Sequence, residues 1–292
     1  METTLIYGAG AMGKHLFPKI ESEHGLGQIF FVDSNPALWG TTFFDKEIIS
    51  PNSIPAMEYD RIILSSLQGY ETIPIRLNTQ FSVPNEKIDK TYLQELFSRT
   101  FDARNRFLNR FAEIVYTRSL NGSVAEGGVF EGYFARQINR EFPDRKLYLF
   151  DTFSGFDERD VFIEEGDTQN RAKHYNANIT ESELLESMPN PSNIVIRKGY
   201  FPDTAVGIDD IFIFVNLDFD LYNPTLSGLE FFYPKMVSNG VILVHDYFYD
   251  AVMPNKEIAF QGVRPAVEKF CNEQNISFVP VADEMSIAII KN

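Results

Sequence analysis

The chain has 292 residues, 44% hydrophobic and 23% charged, with a formal net charge of −15 at pH 7 and a sequence pI near 4.7. So acidic a chain repels phosphate backbones and anionic lipid, and no apolar stretch reaches the roughly 18 residues of a membrane span, so nucleic acid and membrane are not expected partners. The single cysteine, Cys271, suits a reducing compartment, and no basic segment followed by an apolar run opens the sequence, which together predict a cytoplasmic protein.

Leu5-Ile6-Tyr7 reads as a short strand. Gly8-Ala9-Gly10-Ala11-Met12-Gly13 fits GxGxxG, and a helix is predicted from Ala11 to His24 with Leu16, Phe17 and Ile20 on its apolar side. Gln28 to Val32 is the next strand, closed by Asp33, which lies 20 residues after Gly13. That spacing suits a carboxylate on ribose hydroxyls, with Gly8, Gly10 and Gly13 letting backbone N–H groups and the helix N-terminus approach a pyrophosphate. The same glycines would also serve a bare βα turn with no ligand. Tyr59 to Ser65 is another buried strand, and this unit is expected to end at residue 85. Over residues 3 to 90, YGAGAMG, FVDSNP and YDRIILSS resemble the N-terminal sugar-nucleotide-binding domain attached to some bacterial sugar-modifying enzymes. The resemblance implies a nucleotide or sugar-nucleotide ligand. A nicotinamide cofactor competes with it, although no Tyr-x-x-x-Lys pair of an oxidoreductase accompanies the turn.

Residues 86–120 read as a helical connector. Leu93, Leu96, Phe97, Leu108, Phe111 and Val115 supply its apolar side, and Arg104, Arg106, Arg110 and Arg118 read as a solvated face. Asn121-Gly122 is its stop signal.

Residues 121–292 form the second unit. Val124 to Asp151 reads strand, glycine-rich turn, helix, strand, with Glu126 ending the first strand and Asp151 the second. Thr152-Phe153-Ser154 follows as a loop over a bound nucleoside. Asp157 to Met188, which includes His174, is polar and reads as a lid. Asn193 to Gly199 is a strand and turn, with Tyr200 next. Ile211 to Leu217 is a buried strand ending on Asp218, Thr225 to Val237 a helix, and Val241 to Val244 a strand ending on His245-Asp246. Gly262 opens the last helix, and Ser277 to Val281 with Ser286 to Ile290 is a terminal hairpin. The expectation is an α/β protein of two Rossmann-like domains, the second with seven strands.

Two runs, KGYFPDT and VNLDFDLYNPTLSGLEFFYPKMVSNGVILVHDY, resemble the macrocin O-methyltransferase (TylF-like) family, and VAEGGVFEGYFA and LFDTFSGF resemble its cofactor motifs, over residues 100 to 275. The resemblance implies a class I S-adenosylmethionine-dependent methyltransferase sheet. It assigns Glu126, Gly128, Gly132, Tyr133, Asp151, Thr152, Phe153, Ser154, Gly199 and Tyr200 to the cofactor, with Asp151 holding both ribose hydroxyls. It further implies magnesium, or manganese, at Asp218, His245 and Asp246, with Asp218 also the candidate base.

The chemistry agrees. A sugar hydroxyl attacks a sulfonium methyl well only as its proton leaves, and a divalent ion on hard oxygen ligands at strand ends favours that. His245 stands where the family has an Asp. It reads as a softer ligand, as a general base in place of Asp218, or as a structural strand-end residue. Asp220 reads as a loop or capping carboxylate. The expected function is methylation of a sugar hydroxyl in surface-polysaccharide or glycosylated natural-product biosynthesis, on a small-molecule or glycan substrate. The alternatives are an NAD(P)-dependent oxidoreductase or a sugar-nucleotide-binding module, in which the N-terminal unit carries the function. Homo-oligomerisation through that unit stays open.

Overall fold

The computed structural model describes residues 2–164, 179–248 and 261–292. It divides into two compact units, Met1–Ser98 and Arg99–Asn292. His174 lies outside the described residues.

The first unit holds β1 (Thr3–Tyr7), α1 (Ala11–His24), β2 (Gln28–Val32), β3 (Thr42–Phe43), β4 (Lys46–Ile49), β5 (Arg61–Leu64), α2 (Thr72–Phe81), β6 (Ile88–Asp89) and α3 (Thr91–Arg99). Its sheet runs β3-β4-β2-β1-β5-β6, parallel except for the small β3–β4 pair. β1 is central because Leu5 and Ile6 are apolar on both faces and fully buried. The glycine turn therefore sits at the carboxyl edge of the middle strand.

The connector is not one helix. Ile88–Asp89 pairs with β5 as an edge strand, and a break at Thr100 separates α3 from α4 (Phe101–Thr117). Strand pairing outweighs the helical periodicity there.

The second unit continues with β7 (Ser123–Gly127), α5 (Tyr133–Glu141), β8 (Leu147–Asp151), α6 (Glu158–Val161), α7 (Glu181–Glu186), β9 (Ile194–Lys198), β10 (Phe212–Leu217), α8 (Tyr222–Phe232), β11 (Met236–Val244), α9 (Val263–Gln274), β12 (Phe278–Pro280) and β13 (Ile287–Ile290). Its seven-stranded sheet runs β12-β13-β11-β10-β7-β8-β9, with β13 antiparallel to both its neighbours. The sequence of β8, Leu147-Tyr148-Leu149-Phe150, shows how the layers form. Leu147 and Leu149 join Phe134 and Ile138 of α5 and Phe111 of α4 on one face; Tyr148 and Phe150 join Phe232 of α8 and Val267 of α9 on the other. Cys271 is buried within this second cluster, as a packed thiol. Helix α8 ends earlier than its periodicity suggests, because Met236 already belongs to β11.

Candidate active site

The parallel register puts Asn216 beside Glu126 and Leu217 beside both Gly127 and Val244. Asp218 therefore leaves β10 between the glycine turn after β7 and the His245-Asp246 pair after β11. Two main-chain bonds fix the arrangement: Asp218 N–H donates to Gly127 O at 2.8 Å, and His245 N–H to Leu217 O at 2.9 Å. Gly128 has φ +80°, and a Cβ there would lie 1.9 Å from Asp218 O. Only glycine admits that approach.

One nitrogen or oxygen each of Asp218, His245 and Asp246 lie within 4.8 Å of one another. Two carboxylates and one imidazole in that space are a donor set that fits a divalent ion. Asp220 turns back toward them in a tight turn closed by Leu221 N–H to Phe219 O at 2.7 Å. It is 9% exposed, and burial first, then the carboxylate of Asp246, holds its carboxyl well above the usual range. Asp220 is the loop carboxylate expected, and it stands within the acidic cluster; the N-cap of α8 is Leu221. Phe130, Phe153, Asp220 and Asp246 all have positive φ, between 50° and 64°. Strain gathered in one place marks a site held by its surroundings.

Glu126 is 2% exposed, and Asn216 Nδ2 donates to its Oε1 at 2.9 Å. Among the described residues its Oε2 is buried without a partner, as is Asn216 Oδ1. Burial, then Asp218, pushes the Glu126 carboxyl well up. An orphaned buried acceptor beside the turn fits the ammonium of a methionine-bearing cofactor.

Asp151 closes β8 beside the glycine turn. Its Oδ2 accepts from Val129 N–H at 2.7 Å and Phe130 N–H at 2.9 Å, and its Oδ1 from Phe153 N–H at 2.7 Å. Three of about four acceptor positions are filled by main-chain N–H groups, which leaves one on Oδ1. Asp151 braces the turn and the Thr152-Phe153-Ser154 loop, where Ser154 N–H reaches Thr152 Oγ1 at 3.4 Å. Gly132 caps α5 with φ +76°, its missing Cβ leaving room for Leu184 of α7. The Tyr133 hydroxyl accepts from Asn105 Nδ2 of α4 at 2.8 Å. Gly199 N–H donates to Asp151 O at 2.9 Å, and Tyr200 OH donates to Asp160 Oδ1 at 3.1 Å beneath the Arg159 guanidinium.

Arg104 does not lie on a solvated face of α4. It is 4% exposed, stacked over Phe134 at 4.4 Å, with Nη1 3.0 Å from Asp218 Oδ2. It is no solvated arginine but the cation of the acidic cluster.

In the first unit, Gly8, Gly10 and Gly13 line the β1–α1 turn, and Gly10 has open space where a Cβ would point. Asp33 Oδ2 accepts from Ala9 N–H at 2.9 Å and its Oδ1 from Asn35 N–H at 2.8 Å. Arg76 of α2 donates to Tyr7 OH at 2.6 Å and Ser34 Oγ at 2.8 Å alongside.

Comparison with known proteins fits this arrangement. The macrocin O-methyltransferase (TylF) family model matches residues 79–286, more than half of the chain. The chain belongs to the macrocin O-methyltransferase family. That TylF family is one of S-adenosylmethionine-dependent O-methyltransferases, and the second unit is such a domain. A model described as "C2185-like, N-terminal" matches residues 1–89 and names a different family from the sugar-nucleotide-binding one the sequence suggested. A curated relative, the 8-demethyl-8-(2,3-dimethoxy-α-L-rhamnosyl)-tetracenomycin-C 4′-O-methyltransferase of Streptomyces olivaceus, is 27% identical over 156 residues. The match takes in 48% of this chain and spans 58% of that relative's length. The solved O-methyltransferase NovP is similar with TM-score 0.55 and 19% identity, over 78% of this chain and 100% of that one. A calicheamicin methyltransferase follows with TM-score 0.50 and 17% identity, over 76% and 91%. At these identities the structures share the methyltransferase fold. No helix among the described residues is long and apolar enough to cross a membrane.

Proposed function

We propose that the protein transfers a methyl group from S-adenosylmethionine to a hydroxyl of a sugar, in the biosynthesis of a surface polysaccharide or a glycosylated natural product. The observation that carries this reading is the convergence of Asp218, His245 and Asp246 within 4.8 Å, on strand ends next to the Glu126 turn. The rhamnosyl acceptor in the name of the Streptomyces olivaceus relative supports a sugar as substrate.

A divalent ion bound by Asp218, His245 and Asp246 would make an acceptor hydroxyl more acidic. Glu126 Oε2 would receive the cofactor's ammonium, and the N–H groups of the turn, aligned by Asp151, would face its methionine part. Arg104 keeps Asp218 Oδ2 engaged, so Oδ1 is the oxygen of Asp218 without that partner. Asp218 is the candidate proton acceptor from the hydroxyl, and His245 would take that role only where its Nε2 is not on the ion. Calorimetry with S-adenosylhomocysteine, and transfer of labelled methyl to sugar acceptors with and without Asp218→Asn, test the proposal. Absence of cofactor binding by the wild-type protein rejects it.

For the first unit we propose a nucleotide or sugar-nucleotide ligand at Gly8, Gly10, Gly13 and Asp33. The open face at Gly10 and the adjacent Arg76 support it. Titration with nicotinamide and sugar nucleotides decides among the ligands.

A further inference from the structure

His245 belongs to a hydrogen-bonded chain that runs away from the acidic cluster into the core. The antiparallel ladder pairs Val244 with Ile287, so the next pair outward is His245 opposite Ser286. His245 Nδ1 lies 2.9 Å from Ser286 Oγ, and Ser286 Oγ donates to Asp283 Oδ2 at 2.5 Å. Asp283 Oδ1 accepts from Ser286 N–H at 2.8 Å and Met285 N–H at 3.1 Å. Asp283 is 1% exposed and Ser286 fully buried, so water does not compete for these bonds.

The proton positions follow by elimination. A carboxylate only accepts, so the one hydroxyl proton of Ser286 goes to Asp283. Toward His245 the hydroxyl then has only a lone pair to offer, so Nδ1 must carry a proton. In the neutral ring, Nε2 is left with its lone pair, and Nε2 is the nitrogen on the side of Asp246, 3.6 Å from its Oδ1.

We propose that Asp283 and Ser286 are positioning residues that hold His245 in its Nδ1–H tautomer and present Nε2 to a divalent ion shared with Asp218 and Asp246. This rests on the reading of those three residues as an ion site. The relay gives the imidazole the orientation and basicity that an outer-shell partner typically supplies to a ligating histidine. One nitrogen among the donors also tilts the site toward manganese or cobalt over magnesium.

The test starts with metal-free full-length protein carrying ¹⁵N-histidine. Long-range ¹H–¹⁵N correlations, assigned with His245→Asn, should give the Nδ1–H pattern for His245. An Nε2–H pattern overturns the proposal. Cobalt and magnesium titrations then follow by calorimetry and, for cobalt, by visible absorption. Ser286→Ala should weaken cobalt binding about 10- to 100-fold, while Ser286→Thr, which keeps the hydroxyl, should restore most of it. If cobalt binds the wild type and Ser286→Ala leaves its affinity unchanged, the proposal fails and the ion site stands. If neither ion binds the wild-type protein, the ion site fails and takes the proposal with it.

Discussion

Arg104 Nη1 sits 3.0 Å from Asp218 Oδ2, between the ring of Phe134 and the strand end that carries the acidic cluster. Its guanidinium pairs with Asp218 and offsets part of the charge felt by Glu126. Arg104→Met should cost about 2–4 kcal/mol, since it leaves a partly buried carboxylate without its partner. Added manganese should recover part of that loss, because a second cation then answers the same charge. Chemical denaturation with and without the ion measures both effects.

Glu126→Gln should separate stability from binding. Burial holds the Glu126 carboxyl above its unfolded value, so its protonated form favours the folded state. That contribution is present below the unfolded pKa and is lost as pH rises through the folded one. At neutral pH the glutamine variant should therefore be more stable than wild type without ligand. Its affinity for S-adenosylhomocysteine should fall about 10- to 100-fold, through loss of a charge-assisted bond. Unchanged affinity would remove Glu126 from the cofactor site.

Asp160 gives a second pH dependence with a defined window. Burial pushes its carboxyl up to about 6. The folded state binds the proton more tightly, so stability falls as pH rises from about 4 to about 6 and then levels off. Asp160→Asn should flatten that slope. It should also stabilise the protein at pH 7.5 by on the order of 1 kcal/mol, allowing for solvent screening. Thermal unfolding across that range measures it.

Gly128→Ala should be among the most damaging single substitutions. It combines φ +80° with a Cβ 1.9 Å from Asp218 O. A loss of about 3 kcal/mol or more is expected, together with loss of S-adenosylhomocysteine binding. Gly10→Ala in the first unit, where a Cβ meets open space, should cost far less.

Much of this was legible in the sequence, and the reason is local. Helix Ala11–His24, strands β1, β2 and β5 of the first sheet and the strands of the second follow from short-range periodicity, and the strand ends carry Asp218 and the His245-Asp246 pair into one place. Arg104 was not legible. An arginine on an amphipathic helix looks solvated, and its partner lies 114 residues away. The same holds for Asp283 and Ser286, which matter only through a ladder closed by the final strand. Ile88–Asp89 was misread because it pairs with β5, which no local pattern announces, and the helix starts only at Thr91. The strand-end place of Asp151 was legible, but its three main-chain N–H partners, which carry no sequence signature, were not.

The contact between Gly128 and the carbonyl of Asp218 has a consequence for how such a protein can diversify. It joins the turn that would hold the donor to the strand end that would hold the acceptor, atom against atom in the main chain. The separation between the two works like a gauge block, unaffected by exchange of the side chains around it. A change of acceptor would then call for new loop side chains beyond the strand ends, and the sheet itself could stay as it is.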